Sequence, residues 1–224
     1  MIELSNIRVC FSKKAQPVLD HVNFSLNKGD KILLIGASGS GKSVFLNTVM
    51  GLTPEKFVQG EFIIDEKPYS YRHYRNHPIH RQISTIFQDA VNSLHPYRKI
   101  GKQCTVNGYR PSSKDFEAFR LQYDDIKNEF ACRLSGGQCQ RISLMFPYLL
   151  KRDVIFFDEP ITDIDQISRK IILEVIKQQF LDKPEKTIIY ITHSYQELSD
   201  IKHFKCYQMR DGHLNQAEVF DEKQ

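Results

Sequence analysis

Two things missing from this 224-residue sequence narrow its class at once. No apolar run approaches the roughly 20 residues that a membrane-spanning helix needs. The five cysteines (Cys10, Cys104, Cys132, Cys139 and Cys206) are odd in number and contain no C-x-x-C pair. That spacing argues against a disulfide framework or a zinc site and for reduced thiols in the cytosol. The opening segment MIELSNIRVCF alternates like a strand and lacks the basic-then-apolar order of a signal peptide. Internal repeats and low-complexity segments are also missing. A soluble chain is expected, with any membrane association made through a partner. What is present is ordinary: 41% hydrophobic and 26% charged residues, the proportions of a globular protein with one large domain, or a core domain with a small insertion. The formal charge of +4 suits a polyphosphate ligand or an anionic membrane surface, and solvated lysines explain it equally well.

Strand patterns come first along the chain: IRVCF, VLDHVNFSL and, after the turn NKGD, the apolar run KILLI. A helix is expected over 41–51, then strands at GEFIID and ISTIF. Between about 95 and 134 the pattern changes. Ser112 and Asp115 have the spacing of a capping box, and Phe116, Phe119, Tyr123, Ile126 and Phe130 recur at helical spacing. This stretch reads as a small helix-rich insertion. From 135 onward come a helix, the strand DVIFFD, the helix DQISRKIILEVIKQQF, the strand TIIYIT, a further helix and the strand CYQM. Strands alternating with helices predict an α/β fold with a largely parallel sheet.

The segment GASGSGKS (Gly36, Ala37, Ser38, Gly39, Ser40, Gly41, Lys42, Ser43) satisfies G-x-x-x-x-G-K-[ST] between an apolar strand and an apolar helix. Glycines let such a loop wrap closely, so that several N–H groups and the helix N-terminus point at phosphate oxygens. Lys42 supplies a charge to the β- and γ-phosphates, and the Ser43 hydroxyl can bind Mg²⁺. A second element, VIFFDEP, drives an apolar strand into Asp158, at the strand end where α/β ligands bind. Asp158 fits the Mg²⁺-holding role, and Glu159 can polarise a water for attack on the γ-phosphate. A third, LSGGQCQR, sets a Ser-Gly-Gly triplet before the run QRISLMFPYLL. A glycine pair begins a helix poorly but leaves backbone N–H groups bare where an anion can approach; a flexible loop is the plain alternative.

Together these segments resemble the nucleotide-binding domain of ABC transporters over almost the whole chain. LSGGQ (Leu134, Ser135, Gly136, Gly137, Gln138) is similar to that family's signature motif, and Gln88 in STIFQDA to its Q-loop glutamine. His193 in YITHS is similar to its switch histidine, Asp165 in TDID to its D-loop aspartate, and Phe11 to the ring that stacks on adenine. The resemblance implies a P-loop NTPase core with an N-terminal antiparallel β subdomain and a short helical subdomain. One ATPase domain is expected over 1–224, with 1–94 and 135–224 as core and about 95–134 as the helical part. ATP binding is implied for Gly36 through Val44, Mg²⁺ binding for Ser43, Gln88 and Asp158, and catalysis for Glu159, His193 and Gln88. The signature of one subunit closes over ATP held by another, so the implied partners are a second ABC ATPase subunit, homo- or heterodimeric, and transmembrane permease subunits. The chain then works at the cytoplasmic face of the membrane, with no nucleic-acid partner expected.

The sequence departs from the family where Val44 replaces a second hydroxyl, where DEPITDID stands for DEPTTALD, and where the segment from Gln88 to Leu134 is short. None of these removes Lys42, Asp158, Glu159, Gln88 or His193. FQDAVNSLHPYRKIGKQ resembles a stretch common in oligopeptide, dipeptide and nickel importer ATPases, with His95 in place of the usual Asn. Import of peptides or nickel and metal chelates is therefore expected, with an extracytoplasmic substrate-binding protein as a further partner. The same motifs suit an exporter ATPase for peptide, lipid or drug. A non-transport ABC ATPase acting on nucleic acid or ribosomes fits less well, since such chains carry long insertions or paired domains. Leu94 and Tyr97, rimmed by Asp89 and Arg98, are expected to anchor the permease, the alternative being that both pack inside the insertion. His73, His77 and His80, interrupted by Pro78, read as ordinary surface histidines.

Overall fold

The structure is a computed structural model and describes residues 1–12, 16–193 and 204–217. In chain order its elements begin with β1 (Ile2–Val9), β2 (Leu19–Leu26), β3 (Lys31–Ile35), α1 (Lys42–Val49), β4 (Val58–Ile64), β5 (Lys67–Tyr69) and α2 (Tyr71–Arg75). They continue with β6 (Ile83–Ile86), α3 (Ala90–Ser93), α4 (Ile100–Gln103), α5 (Ser113–Glu117), α6 (Tyr123–Ile126), α7 (Gly136–Leu149) and β7 (Val154–Asp158). The last are α8 (Gln166–Ile176), β8 (Thr187–Thr192), β9 (Lys205–Arg210) and β10 (His213–Ala217). The helix expected after Thr192 lies outside the described residues. Contacts divide the chain into two compact units, Met1–Ile83 with Thr187–Gln224, and Ser84–Lys186.

In the first unit, β2, β1, β4 and β5 form an antiparallel sheet in that order. Ile2, Leu4, Ile7 and Val9 are buried in β1, so the alternation slips once between Leu4 and Ile7. The register with β2 shifts at that point, beside Asn6 with φ 54°. One irregular residue thus returns the apolar side chains to the same face. Elsewhere in this unit β8 and β9 flank β3 in parallel, and β10 pairs antiparallel with β9. All of β8 is buried, which is why TIIYIT reads as a continuous apolar run rather than an alternating one.

The second unit gathers around α7 and β7. Ile142, Leu144, Met145, Ile155, Phe156 and Phe157 are buried there, and Phe157 packs edge-on against Phe180 at 5.6 Å. The helix beginning at Gln166 continues beyond Ile176 as a π-helical turn, Lys177–Leu181. The periodic run from Phe116 to Phe130 does not make one helix. α5 stops at Glu117 because Arg120 turns left-handed at φ 56°, and the Leu121 amide reaches back to the Phe116 carbonyl at 3.0 Å. Such a C-terminal turn satisfies the last carbonyls, and α6 restarts the spacing at Tyr123.

The capping box at Ser112 is present. Asp115 Oδ2 accepts from the Ser112 amide at 2.7 Å, the Ser112 hydroxyl at 2.8 Å and the Tyr109 hydroxyl at 2.8 Å. Burial works to raise the Asp115 pKa, and these hydrogen bonds outweigh it, leaving the carboxyl below its ordinary value. Asp115→Ala is expected to cost about 1 kcal/mol of stability, read as a melting temperature lower by roughly 2–4 °C. A depressed folded-state pKa stabilises above the unfolded value and is lost as pH falls through the folded one. The difference between wild type and variant should therefore be full above about pH 4 and shrink below it.

Candidate nucleotide site

In the first unit, β3 delivers the chain into Gly36. Ile35 lies opposite Thr192 of β8 and Gln208 of β9, so the loop leaves the sheet where β8 also ends, while β9 runs on to Arg210. A Cβ on Gly36 would come within 2.5 Å of the Met209 carbonyl oxygen, and only glycine passes there. Gly41 precedes α1 at φ 109°, and a Cβ on it would meet the Val18 carbonyl at 3.0 Å. Between these points the loop closes around one ammonium. Lys42 is 6% exposed and its Nζ donates to the carbonyls of Gly36 at 2.7 Å and Ala37 at 3.0 Å. Ala37, Ser38, Gly39 and Ser43 are exposed, and no acidic residue stands in the first turn of α1. The positive end of that helix is open to an anion. Ser40 Oγ is buried with no hydrogen-bond partner among the described residues.

His193 follows directly on Thr192, leaves the sheet next to the strand that enters Gly36, and is exposed. Phe11 is 46% exposed and meets Phe57 edge-on at 5.1 Å. It is a partly open ring and not a core residue.

Val44, half-buried, follows Ser43 in α1, and the second unit holds the remaining predicted residues. β7 ends at Asp158, and Glu159 follows at φ 48°. Left-handed backbone is sparse for a residue with a side chain, and such strain clusters at functional sites. The Thr162 hydroxyl donates to Glu159 Oε2 at 3.2 Å. Asp163 is also left-handed, at φ 62°, and its Oδ2 accepts from Gln88 Nε2 at 3.2 Å. The turn after β7 therefore holds Glu159 through Thr162 and Gln88 through Asp163. Sequence reasoning missed Asp163 as the partner of Gln88; the only signal was an extra aspartate in TDID. Asp165 caps α8, accepting from the Ile167 amide at 3.1 Å and the Ser168 amide at 2.9 Å. The Ser168 backbone and side-chain hydrogen bonds hold its carboxyl below the usual range.

Ser135 answers why a helix starts on a glycine pair. It is the N-cap of α7: its Oγ accepts from the Gln138 amide at 3.2 Å, while Gln138 Oε1 accepts from the Ser135 amide at 2.9 Å. A hydroxyl has one proton to give beyond the pair it accepts with, and that proton suits an anion. The two glycines differ. A Cβ on Gly137 would overlap Ser168, with Cβ at 2.6 Å and Oγ at 2.5 Å, whereas one on Gly136 would meet nothing nearer than Ile164 Cδ1 at 3.8 Å. Gly137 lets α7 approach α8, and Gly136 lies on the open side. A pocket of about 430 Å³ opens here among Gln88, Gly136, Gln140, Thr162 and Asp163.

One expectation changes. Leu94 is 3% exposed and belongs to the core, which removes it as a surface anchor, while Tyr97 is 86% exposed. Of the three histidines, His73 pairs with the Ser70 hydroxyl at 2.8 Å, His77 caps the turn Pro78–Gln82, and His80 Nε2 pairs with the Tyr74 carbonyl at 2.7 Å. Among the described residues no group of three or more His, Cys, Asp or Glu is arranged to hold a metal ion.

Comparison with known proteins extends these observations. The chain matches the ABC transporter family over residues 19–162. It is 30% identical over 219 residues to the oligopeptide transport ATP-binding protein AppD of Bacillus subtilis (strain 168), covering 89% of this chain and 66% of AppD. It is also 30% identical over 221 residues to the metal-staphylopine import system ATP-binding protein CntD of Staphylococcus aureus (strain NCTC 8325 / PS 47), covering 89% of this chain and 78% of CntD. This chain thus spans about two thirds of AppD's length. In fold it is similar to the dimeric post-hydrolysis structure of the ATP-binding cassette MJ0796 bound to ADP and Pi, with a TM-score of 0.72 at 21% identity, covering 98% of this chain and all of that one. The fold is accordingly an α/β P-loop core with an antiparallel N-terminal sheet and a set of short helices. With that family's model matched over 19–162, more than half of the sequence, the chain belongs to the ABC transporter family.

Proposed function

We propose that this chain is the ATP-hydrolysing subunit of an ABC transporter, a single ATPase domain over 1–224 with a core of 1–94 and 135–224 and a helical subdomain at about 95–134. The observation that carries the reading is the loop Gly36–Ser43 drawn around the Lys42 ammonium at the start of α1. Backbone amides of this loop bind the phosphates, Lys42 adds its charge to the β- and γ-oxygens, Val44 lies just behind the loop, and Phe11 stacks on the base. Ser43, Asp158 and Gln88 offer a hydroxyl, a carboxylate and an amide oxygen. Hard oxygen donors of this kind suit Mg²⁺, which needs few protein ligands when phosphates supply the others. Mg²⁺ would neutralise charge on the phosphate oxygens. Glu159, steered by the Thr162 hydroxyl, takes the proton of the attacking water. Gln88 orients that water, and His193 donates toward the γ-phosphate.

The α7 N-terminus serves a second subunit's nucleotide. Ser135 gives its hydroxyl proton, Gly136 and Gly137 their amides, while Leu134 and Gln138 hold the turn and Asp165 fixes the start of α8 beside it. Two such ATPases, identical or sisters, close head-to-tail on ATP and drive permease subunits from the cytoplasmic face. No helix among the described residues is long and apolar enough to cross a membrane, and attachment is through those subunits. We read the cargo as peptides or metal chelates delivered by a substrate-binding protein, on the strength of FQDAVNSLHPYRKIG and the similarity to AppD and CntD.

The purified chain is expected to release phosphate from ATP only with Mg²⁺, and a rate no faster than buffer alone overturns the reading. Uptake of a labelled peptide and of a labelled metal chelate, in cells with and without the gene, decides the cargo.

A further inference from the structure

Gln140 is a polar side chain on the buried face of α7. It is 0% exposed, between buried Cys139 and the buried pair Ile142 and Ser143. Burying an amide is unfavourable unless its atoms are paired. Here one end is paired: Gln140 Nε2 donates to the Phe87 carbonyl at 3.5 Å, a long bond. The other end, Oε1, is buried with no hydrogen-bond partner among the described residues. The side chain lines the same pocket as Gln88 and Asp163. The Phe87 carbonyl belongs to the peptide that leads into Gln88, and Gln88 is held on its far side by Asp163 at 3.2 Å. One buried amide thus links the helix that opens with Ser135 and Gly136 to the peptide that carries Gln88. A methionine of similar length would fill the space without stranding an acceptor, so packing alone does not account for the residue.

We propose that Gln140 is a positioning residue, holding the Phe87–Gln88 peptide to α7 so that Gln88 is presented correctly for hydrolysis. The inference rests on the role given to Gln88 above. Gln140 touches no reacting atom. It acts through the main chain of the segment that does.

The test uses the full chain with Gln140→Met, Gln140→Glu and Gln88→Ala. Met keeps length and removes the donor. Glu lacks a donor when ionised and regains one, toward the Phe87 carbonyl, when protonated. Burial raises a carboxyl pKa, which brings that protonation toward the assay range. Steady-state phosphate release is measured from about pH 5.5 to 8.5, with each variant divided by wild type at the same pH, beside hydrogen exchange of the segment 84–93. Gln140→Met should lower kcat about three- to tenfold, the worth of one hydrogen bond, with KM for ATP unchanged within about twofold. Its segment 84–93 should exchange faster while 42–49 does not. Gln140→Glu should match Gln140→Met at the alkaline end and recover toward wild type as pH falls. A Gln140→Glu ratio that stays flat with pH, wild-type turnover in Gln140→Met, or failure of both variants to fold overturns the proposal. Lost activity in Gln88→Ala beside unaffected Gln140 variants overturns this inference alone. Wild-type turnover in Gln88→Ala overturns the role of Gln88, and this inference with it.

Discussion

Glu159→Gln is expected to bind ATP as wild type does and to lose hydrolysis by about 10²- to 10⁴-fold, the range of a positioned general base. The amide is the same size, keeps an oxygen for the Thr162 hydroxyl that now reaches Oε2 at 3.2 Å, and leaves the φ 48° backbone undisturbed. What it cannot do is accept the proton of an attacking water. Lys42→Ala should fail earlier. The Nζ that ties the Gly36 and Ala37 carbonyls at 2.7 and 3.0 Å is gone, so the loop loses both its internal tie and the charge for the phosphates. Binding of a fluorescent ATP analogue and release of phosphate, measured separately, distinguish the two losses. Equal turnover by Glu159→Gln and wild type would remove Glu159 from the chemistry.

The parts of this site that were legible in the sequence are those made by contiguous residues. A strand, a glycine loop and a helix in succession fix the Lys42 site locally; the S-x-x-Q spacing of Ser135 and Gln138 goes unread as a cap because the glycine pair points to bare amides instead. Legibility failed where a second segment decides. Periodicity from Phe116 to Phe130 assumes that the backbone stays helical, and nothing in the residue type of Arg120 announces the left-handed turn that breaks it. Leu94 reads the same whether it faces a permease or the core; its burial follows from the fold around it. The tie between Gln88 and Asp163 joins distant parts of the sequence. Gly136 and Gly137 are indistinguishable in sequence and differ only because Ser168 lies against one of them.

That difference separates folding from assembly. Gly136→Ala should fold as well as wild type, since the added methyl meets only Ile164 at 3.8 Å and alanine is the better helix former by up to about 1 kcal/mol. The same methyl stands on the open side of the α7 N-terminus, where the amides are proposed to meet a γ-phosphate held by another subunit. Gly137→Ala should instead strain the fold, because its methyl overlaps Ser168 at 2.6 Å. Overpacking of this kind costs about 1–3 kcal/mol, or several degrees of melting temperature. Both are best made in Glu159→Gln, which keeps ATP intact. By sedimentation that parent should be monomeric without nucleotide and dimeric with ATP. Adding Gly136→Ala should leave the melting temperature within about 1 °C, as expected where no new strain is introduced, and weaken the ATP-dependent dimer by at least about tenfold, as a displaced charge-assisted hydrogen bond would. Ser135→Arg should abolish that dimer outright. A dimer that forms without nucleotide and ignores both substitutions would mean that α7 does not close on a second subunit's phosphate.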